Sequence, residues 1–211
     1  MASRKRRRSR RPARRRAIKE PKRRLLVVCE GERTEPEYLR GFQRHVRNAT
    51  VEIEIPNERG DPKKLVEIAK ERGDQARHDA ARQRDDFLAF DEVWCVFDRD
   101  EHTRFDDAVS MARDNGIELA VSNPCVELWL LLHFRDSPGA RHRHDIQRLM
   151  RNHLPGYDKG IEFDAVAFGI KEASTRARRL DDDAQSMGEA GRNPTTGFYR
   201  LTDSIARRQG G

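Results

Sequence analysis

The stretch LLVVCEGERTEPEYL, residues 25–39, runs from an apolar segment directly into a charged loop and a helix start. Its first five residues are rich in strand-forming types, which favours a buried β-strand. Glu30 and Gly31 follow at once, and Thr34 with Glu37 three residues later predicts a capping box that begins a helix. The sequence therefore predicts a strand, an acidic strand end and a helix, in that order.

A second stretch, VWCVFDRDEH at residues 93–102, repeats this shape. An apolar run ends on Asp98, and Asp100 follows two residues later. Because side chains alternate along an extended chain, both carboxylates turn the same way if the segment stays extended, and Arg99 between them turns away.

Strand and helix signals alternate four times between residues 24 and 136. Helices are predicted to begin at Thr34, at Pro62 after an Asp61 cap, near Phe105, and at Pro124 after an Asn123 cap. The predicted strands are residues 24–29, 51–55, 92–97 and 117–122. Such alternation is typical of an α/β fold, and we predict a mainly parallel four-stranded sheet with flanking helices.

Charge is divided unevenly along the chain. Residues 1–24 hold fourteen Lys and Arg against the single acid Glu20, a net charge of +13, so the remaining residues sum to −6 in a chain of +7. We predict a basic arm at 1–23 that is disordered when free, an α/β core at 24–136, and a helical C-terminal lobe at 137–211 packed on the core. An arm of this kind binds nucleic acid by neutralising phosphates, although a solvated tail or a misassigned start codon are alternatives.

Composition excludes several classes of protein. No apolar stretch approaches the length of a membrane span, and the arm lacks the apolar core of a secretory signal. The three cysteines, Cys29, Cys95 and Cys125, form no CxxC pair and are typical of small buried side chains in a reducing cytoplasm. We therefore expect a cytoplasmic protein with no membrane contact.

The predicted strand ends gather acidic residues. In open parallel sheets, sites form outside the carboxyl ends of the strands, where Glu30, Asp98 and Asp100 are expected. The fourth strand ends on Ser122 and Asn123, and Glu127 follows one turn later. Acids commonly end strands, so each residue alone is a weak signal. If three carboxylates lie together, however, either their pKa values rise or a cation binds among them, and oxygen ligands suit Mg²⁺ or Mn²⁺.

This combination resembles the Toprim domain, which carries a glutamate after its first strand and a DxD after a later one. The body resembles the RloB family more closely, a group linked to restriction and abortive-infection loci. The matching pieces are VVCEGERTEPEYL, VWCVFDRDEH, VSNPCVELWLLLHF and NPTTGFYRL, which span about residues 25–205.

The resemblance implies that Glu30, Asp98 and Asp100 form a metal site. It also implies that Glu127 is a fourth acid or supports that site, and that defence-system proteins are potential partners.

Three functions remain open from the sequence. The first is a Mg²⁺-dependent, Toprim-like nuclease of phage defence, and the second is a non-catalytic nucleic-acid-binding or effector-sensing subunit. The third is an enzyme acting on a nucleotide or another small phosphate. The roles of Arg33, His102 and Lys159 stay undecided, whereas His133, inside an apolar helix, is interpreted as a hydrogen-bonded core residue.

Overall fold

The computed structural model describes residues 22–48, 51–99 and 104–207. Five strands lie within these ranges: β1 (Arg23–Cys29), β2 (Val51–Glu54), β3 (Glu92–Asp98), β4 (Glu118–Asn123) and β5 (Thr195–Thr196). The helices of the first half are α1 (Thr34–Val46), α2 (Pro62–Gln83) and α3 (Phe105–Asp114). The helices of the second half are α4 (Glu127–Leu132), α5 (Arg143–His153), α6 (Ile170–Ser186) and α7 (Phe198–Ala206).

The strands form one sheet in the order β2-β1-β3-β4-β5. The first four strands run parallel, and β5 pairs antiparallel with the end of β4. The predicted α/β class and mainly parallel sheet are confirmed, but the count of four strands is wrong. The fifth strand escaped prediction because its two threonines lie in a Gly-rich and Pro-rich stretch that has no strand periodicity.

Both faces of the sheet are covered, so alternate residues of each central strand enter different cores. Leu25, Val27 and Cys29 of β1 face the larger core, to which α1, α4 and α7 also contribute apolar side chains. Leu26 and Val28 face a smaller core shared with α2 and α3. Burial on both faces explains why β1 and β3 are continuously apolar rather than alternating.

The C-terminal segment is joined closely to this sheet. It contributes β5 itself, and α7 packs against β4. Side chains from the region predicted as a lobe, including Phe163, Phe198 and Leu201, belong to the larger core. Among the described residues, none of the helices is both long enough and apolar enough to cross a membrane.

Two predicted helix caps are wrong. No side-chain cap closes the first turn of α1, because Thr34 Oγ1 instead donates to the carbonyl of Lys159, 2.6 Å away, and Glu37 Oε2 accepts from the amide of Ile161 at 2.7 Å. Likewise α4 begins at Glu127 rather than Pro124, and Asn123 Nδ2 donates to the carbonyl of Gly191. In both cases a tertiary partner outcompetes the local cap.

Other local predictions are confirmed. Asp61 caps α2 by accepting from the amide of Lys64 at 2.9 Å, with Pro62 in the first turn. His133 is buried, and its ring lies between the hydroxyl of Tyr38 and the carbonyl of Val166. The three cysteines are buried and free.

Candidate functional site

Glu30 and Asp98 meet at the carboxyl edge of the sheet. Strands β1 and β3 are parallel neighbours, and the amide of Glu30 donates to the carbonyl of Val96 at 2.9 Å, which extends their pairing. The amide of Asp98 then donates to Oε2 of Glu30, 2.9 Å away. The sheet therefore brings the two predicted acids together without any contribution from the helices.

The carboxylate of Asp98 is held by the segment that follows β4. Its Oδ1 accepts a 2.8 Å hydrogen bond from the amide of Val126, at the start of α4. Its Oδ2 faces the guanidinium of Arg143, 3.4 Å away, at the start of α5. Arg143 belongs to the basic segment RHRHD, residues 141–145.

Glu127 is fully buried beside this pair. Its Oε1 accepts from the ammonium of Lys159, and from the hydroxyl of Tyr157 and the amide of Gln147, each 3.3 Å away. Its Oε2 is buried without a strong hydrogen-bond donor among the described residues, although the weakly donating thiol of Cys125 lies beside the carboxylate. A buried carboxylate oxygen left in this state is costly and marks a place where a further group can bind.

Sequence reasoning missed Glu35 as a member of this cluster. Its side chain is buried at the first turn of α1, and its Oε1 accepts from the amide of Gly31 at 3.1 Å. From the sequence, Glu35 only flanks the predicted site and is not one of its acids. A signal was present nonetheless, since a Glu five residues after a strand-ending Glu returns to the same edge when the helix starts at once.

Burial and mutual repulsion shift the protonation of these acids. Burial first, and then the charges of Glu35, Glu127 and Glu30, raise the pKa of Asp98 well above its usual value, while Arg143 opposes the shift.

The other two buried acids shift in opposite directions. Burial also raises the pKa of Glu35. Burial acts in the same direction on Glu127, but the hydrogen bond and charge of Lys159 outweigh it and hold the pKa of Glu127 below its usual value.

Three of these acids, Glu30, Glu35 and Asp98, line a pocket of about 350 Å³. Its wall also includes the cationic side chains of Arg33, Arg143 and Lys159. Negative and positive groups therefore share one recess, which is a suitable arrangement for a phosphate that also contacts a cation.

The fit of this site to a divalent metal is mixed. Among the described residues, no group of three or more His, Cys, Asp and Glu side chains is arranged to hold an ion. The third predicted ligand, Asp100, lies outside the described residues, as does His102. The donor chemistry fits Mg²⁺ or Mn²⁺ all the same, because it consists of carboxylate oxygens, and Glu127 supplies a buried oxygen without a strong partner.

The remaining residues weighed from sequence also have partners. Arg33 contacts Glu37 and the carbonyl of Asp158. Arg99 turns away to the carbonyl of Gly191, 2.9 Å distant, as predicted.

The fold and the site define an α/β protein with a buried acidic cluster at the carboxyl edge of a mostly parallel sheet. A family model described as RloB-like protein matches residues 25–205. Because that span covers most of the chain, the protein belongs to the RloB family, and the resemblance predicted from the sequence is confirmed. No curated protein and no solved structure matches the chain.

Proposed function

We propose that this protein is a Mg²⁺- or Mn²⁺-dependent nuclease with a Toprim-like acidic site, acting on DNA or RNA in phage defence. The observation that carries the proposal is the cluster of Glu30, Glu35, Asp98 and Glu127 at the carboxyl edge of the sheet. Burying so many carboxylates together costs free energy, which is characteristic of functional sites.

Glu30, Asp98 and Asp100 would hold the metal. When bound there, the ion would polarise a phosphate oxygen and lower the pKa of a water molecule. The remaining work falls to the chain itself. Glu30 is already oriented by the amide of Asp98, and the second oxygen of Asp98 faces the pocket beside Arg143.

Arg143, Lys159 and Arg33 supply positive charge at the wall of the same pocket. Arg143 can hold a phosphate oxygen with two N–H groups, whereas Lys159 acts as a single charge. The buried carboxylate of Glu127 orients the ammonium of Lys159, so Glu127 acts as a positioning residue for that cation.

The net charge of the N-terminal residues supports nucleic acid as the substrate class. Residues 1–24 carry +13 on a body that is otherwise net negative, which suits a phosphate polymer better than a small ligand. The family's link to restriction and abortive-infection loci, implied by the resemblance, supports the phage-defence role and partner proteins from such a system.

One observation favours a second candidate, a non-catalytic subunit that binds nucleic acid or senses an effector. Arg143 and Lys159 already neutralise part of the charge of Asp98 and Glu127. A pocket balanced in this way can persist as a binding site without a metal.

The test is incubation of the protein with labelled single-stranded and double-stranded DNA and RNA in Mg²⁺, Mn²⁺ or EDTA. The proposal expects hydrolysis that requires a divalent ion and is lost in Asp98→Asn. Asp114→Asn, an exposed residue at the end of α3, is the matched control and should leave hydrolysis unchanged. Binding without hydrolysis under every condition would support the non-catalytic candidate instead.

A further inference from the structure

The outer face of α1 carries a stripe of arginines. Arg40 and Arg44 lie four residues apart, which places them within about 40° of one another around the helix. Arg33 lies just before the helix, and Arg47 caps its C-terminal end in the left-handed conformation. All four residues are exposed.

Three of these arginines differ from several others on the surface in their partners. Within the described part of the chain, no carboxylate forms an ion pair with Arg40, Arg44 or Arg47. Several other exposed arginines of the body pair with acids at short range, although Arg84, Arg141 and Arg151 have no ion pair among the described residues. Examples of such pairs are Arg77–Asp74, Arg82–Asp79 and Arg148–Asp145.

Arg40 and Arg44 are like charges four residues apart, a spacing that destabilises a helix. Interaction with the helix dipole explains a basic residue in the last turn, such as Arg44, but not Arg40 one turn earlier. The stripe therefore has the character of a surface that binds a negatively charged partner.

The stripe begins at the acidic pocket and leads away from it. Arg33 lines both that pocket and an adjoining groove of about 460 Å³, whose wall also includes Arg40 and Arg44. Arg44 also lines the next recess, of about 290 Å³, together with Arg47. The three recesses thus follow one another along α1.

The far end of the stripe lies near the start of β1. Asn48, next to Arg47, donates to the carbonyl of Arg207 at 3.0 Å, and Arg23 donates to the same carbonyl at 3.5 Å. The arginines therefore connect the site at one edge of the sheet with the place where the highly basic N-terminal sequence joins the body.

We propose that this stripe, Arg33, Arg40, Arg44 and Arg47, is a track for the sugar-phosphate backbone of a single nucleic-acid strand that enters the acidic pocket. The inference rests on the proposed function in taking nucleic acid as the substrate class. The fourteen residue steps from Arg33 to Arg47 cover about 21 Å at the helical rise, a length over which a strand carries several phosphates. A single strand is the fitting partner because the carboxylates lie in a recess that a flexible strand can enter.

Acidic side chains also line these grooves. Glu37 lies on α1 and pairs with Arg33, whereas Asp158, Glu162 and Asp164 come from the segment that follows α5, where they repel phosphates. The proposal therefore also expects that Glu162→Gln combined with Asp164→Asn tightens binding, because two repulsive charges disappear.

The main experiment measures binding of the full chain to a fluorescent single-stranded oligonucleotide in EDTA, over a series of salt concentrations. Arg40→Ala with Arg44→Ala should lose affinity several-fold and reduce the slope of log K against log salt by about 1.4, since each single-strand phosphate contact contributes about 0.7. Arg77→Ala with Arg82→Ala on α2 removes the same charge elsewhere and is the matched control. Its slope should stay within about 0.3 of the wild type.

A second measurement is specific to position. Labelling with phenylglyoxal, an arginine-selective reagent, followed by mass spectrometry should show Arg40 and Arg44 protected by the bound oligonucleotide, and Arg77 and Arg82 unprotected. Equal slopes for the two double variants, or equal protection of all four residues, would overturn the track.

Hydrolysis is scored separately in Mn²⁺, so that the two proposals fail independently. Altered slopes without hydrolysis support the track and refute the nuclease. Hydrolysis lost in Asp98→Asn, with slopes that do not respond to Arg40 and Arg44, refutes the track and leaves the nuclease standing.

Discussion

The backbone amide of Asp98 donates a 2.9 Å hydrogen bond to Oε2 of Glu30, which ties the ends of two neighbouring strands through one of the acids itself. Glu30 is therefore oriented by the sheet before any ligand arrives. Such preorganisation is valuable in a binding or catalytic site, because the side chain loses little further freedom when the ligand binds.

Gly31 is required by the neighbouring acid. A Cβ added at this position would lie 2.0 Å from Oε2 of Glu35 and 2.7 Å from Oε1, so no side chain fits while Glu35 keeps its place. We predict that Gly31→Ala displaces Glu35, lowers the free energy of unfolding by about 1–3 kcal/mol and reduces any activity of the pocket. Urea unfolding measures the first effect.

The matched test of this cause is a second substitution. Gly31→Ala combined with Glu35→Ser removes the obstructing carboxylate and should recover most of the lost stability. If the double variant is as unstable as Gly31→Ala alone, the close approach of Glu35 is not the reason that glycine is needed at this position.

The Lys159–Glu127 pair should be stabilising only as a pair. Lys159→Met leaves the buried carboxylate of Glu127 without its cation, so we predict a loss of about 2 kcal/mol, below the range for fully buried pairs because Lys159 is half exposed. Adding Glu127→Gln to Lys159→Met should restore most of the lost stability. The surface pair Lys63–Asp107 provides the control, and Lys63→Met should cost under about 1 kcal/mol. Similar losses in the two lysine variants would contradict this account.

His133 should make the fold sensitive to mild acid. Burial lowers the pKa of His133 from 6.5 to about 4, whereas the unfolded chain binds the proton near 6.5. Below about pH 6.5, His133 therefore binds a proton in the unfolded chain but not in the folded chain. The free energy of unfolding falls until the pH reaches about 4. The full effect is about 3 kcal/mol at 1.36 kcal/mol per pH unit.

The measurement is the free energy of unfolding at pH 7.5, 6.5, 5.5 and 4.5, for the wild type and for His133→Gln. The variant starts less stable but should lose less stability over this interval. His78→Gln, on the exposed face of α2, is the control and should follow the wild type. Parallel curves for wild type and His133→Gln would show that this histidine does not link folding to pH.

Removing residues 1–21 should weaken nucleic-acid binding without affecting chemistry. Fewer phosphates are neutralised, so both the affinity and its dependence on log salt should decrease. Turnover at saturating substrate should survive. If truncation leaves affinity and salt slope unchanged, the arm does not contact nucleic acid. The predicted disorder of these residues lies outside the described part of the chain.

The sequence predicted the parallel arrangement because apolar periodicity and strand-end chemistry are local features. Glu30 and Asp98 could be paired from sequence because strand neighbours in an α/β fold bring their ends to one edge. Partners that fold back from distant segments carried no such signal. Thr34 bonds to the carbonyl of Lys159, Arg143 reaches Asp98, and β5 depends wholly on pairing with β4.

Glu35 illustrates the same limit at short range. Its charge gave no indication of burial, yet the tight connection from β1 into α1 turns it inward to the amide of Gly31. Hydrophobic pattern cannot report that a charged residue is buried among other charges, because the reason for its burial is the site and not the core.

The most direct test of the central claim uses Asp98→Asn. Asparagine keeps the shape and can still accept from the amide of Val126, but it removes a charge that Glu35, Glu127 and Glu30 repel. The metal-free variant should therefore be as stable as the wild type or slightly more stable.

The measurement combines melting temperature with hydrolysis of mixed DNA and RNA, with and without millimolar Mn²⁺. The account predicts that Mn²⁺ raises the melting temperature of the wild type more than that of Asp98→Asn, and that only the wild type hydrolyses nucleic acid. If Mn²⁺ neither stabilises the wild type nor supports hydrolysis by it, the account is contradicted and the acids are a structural feature.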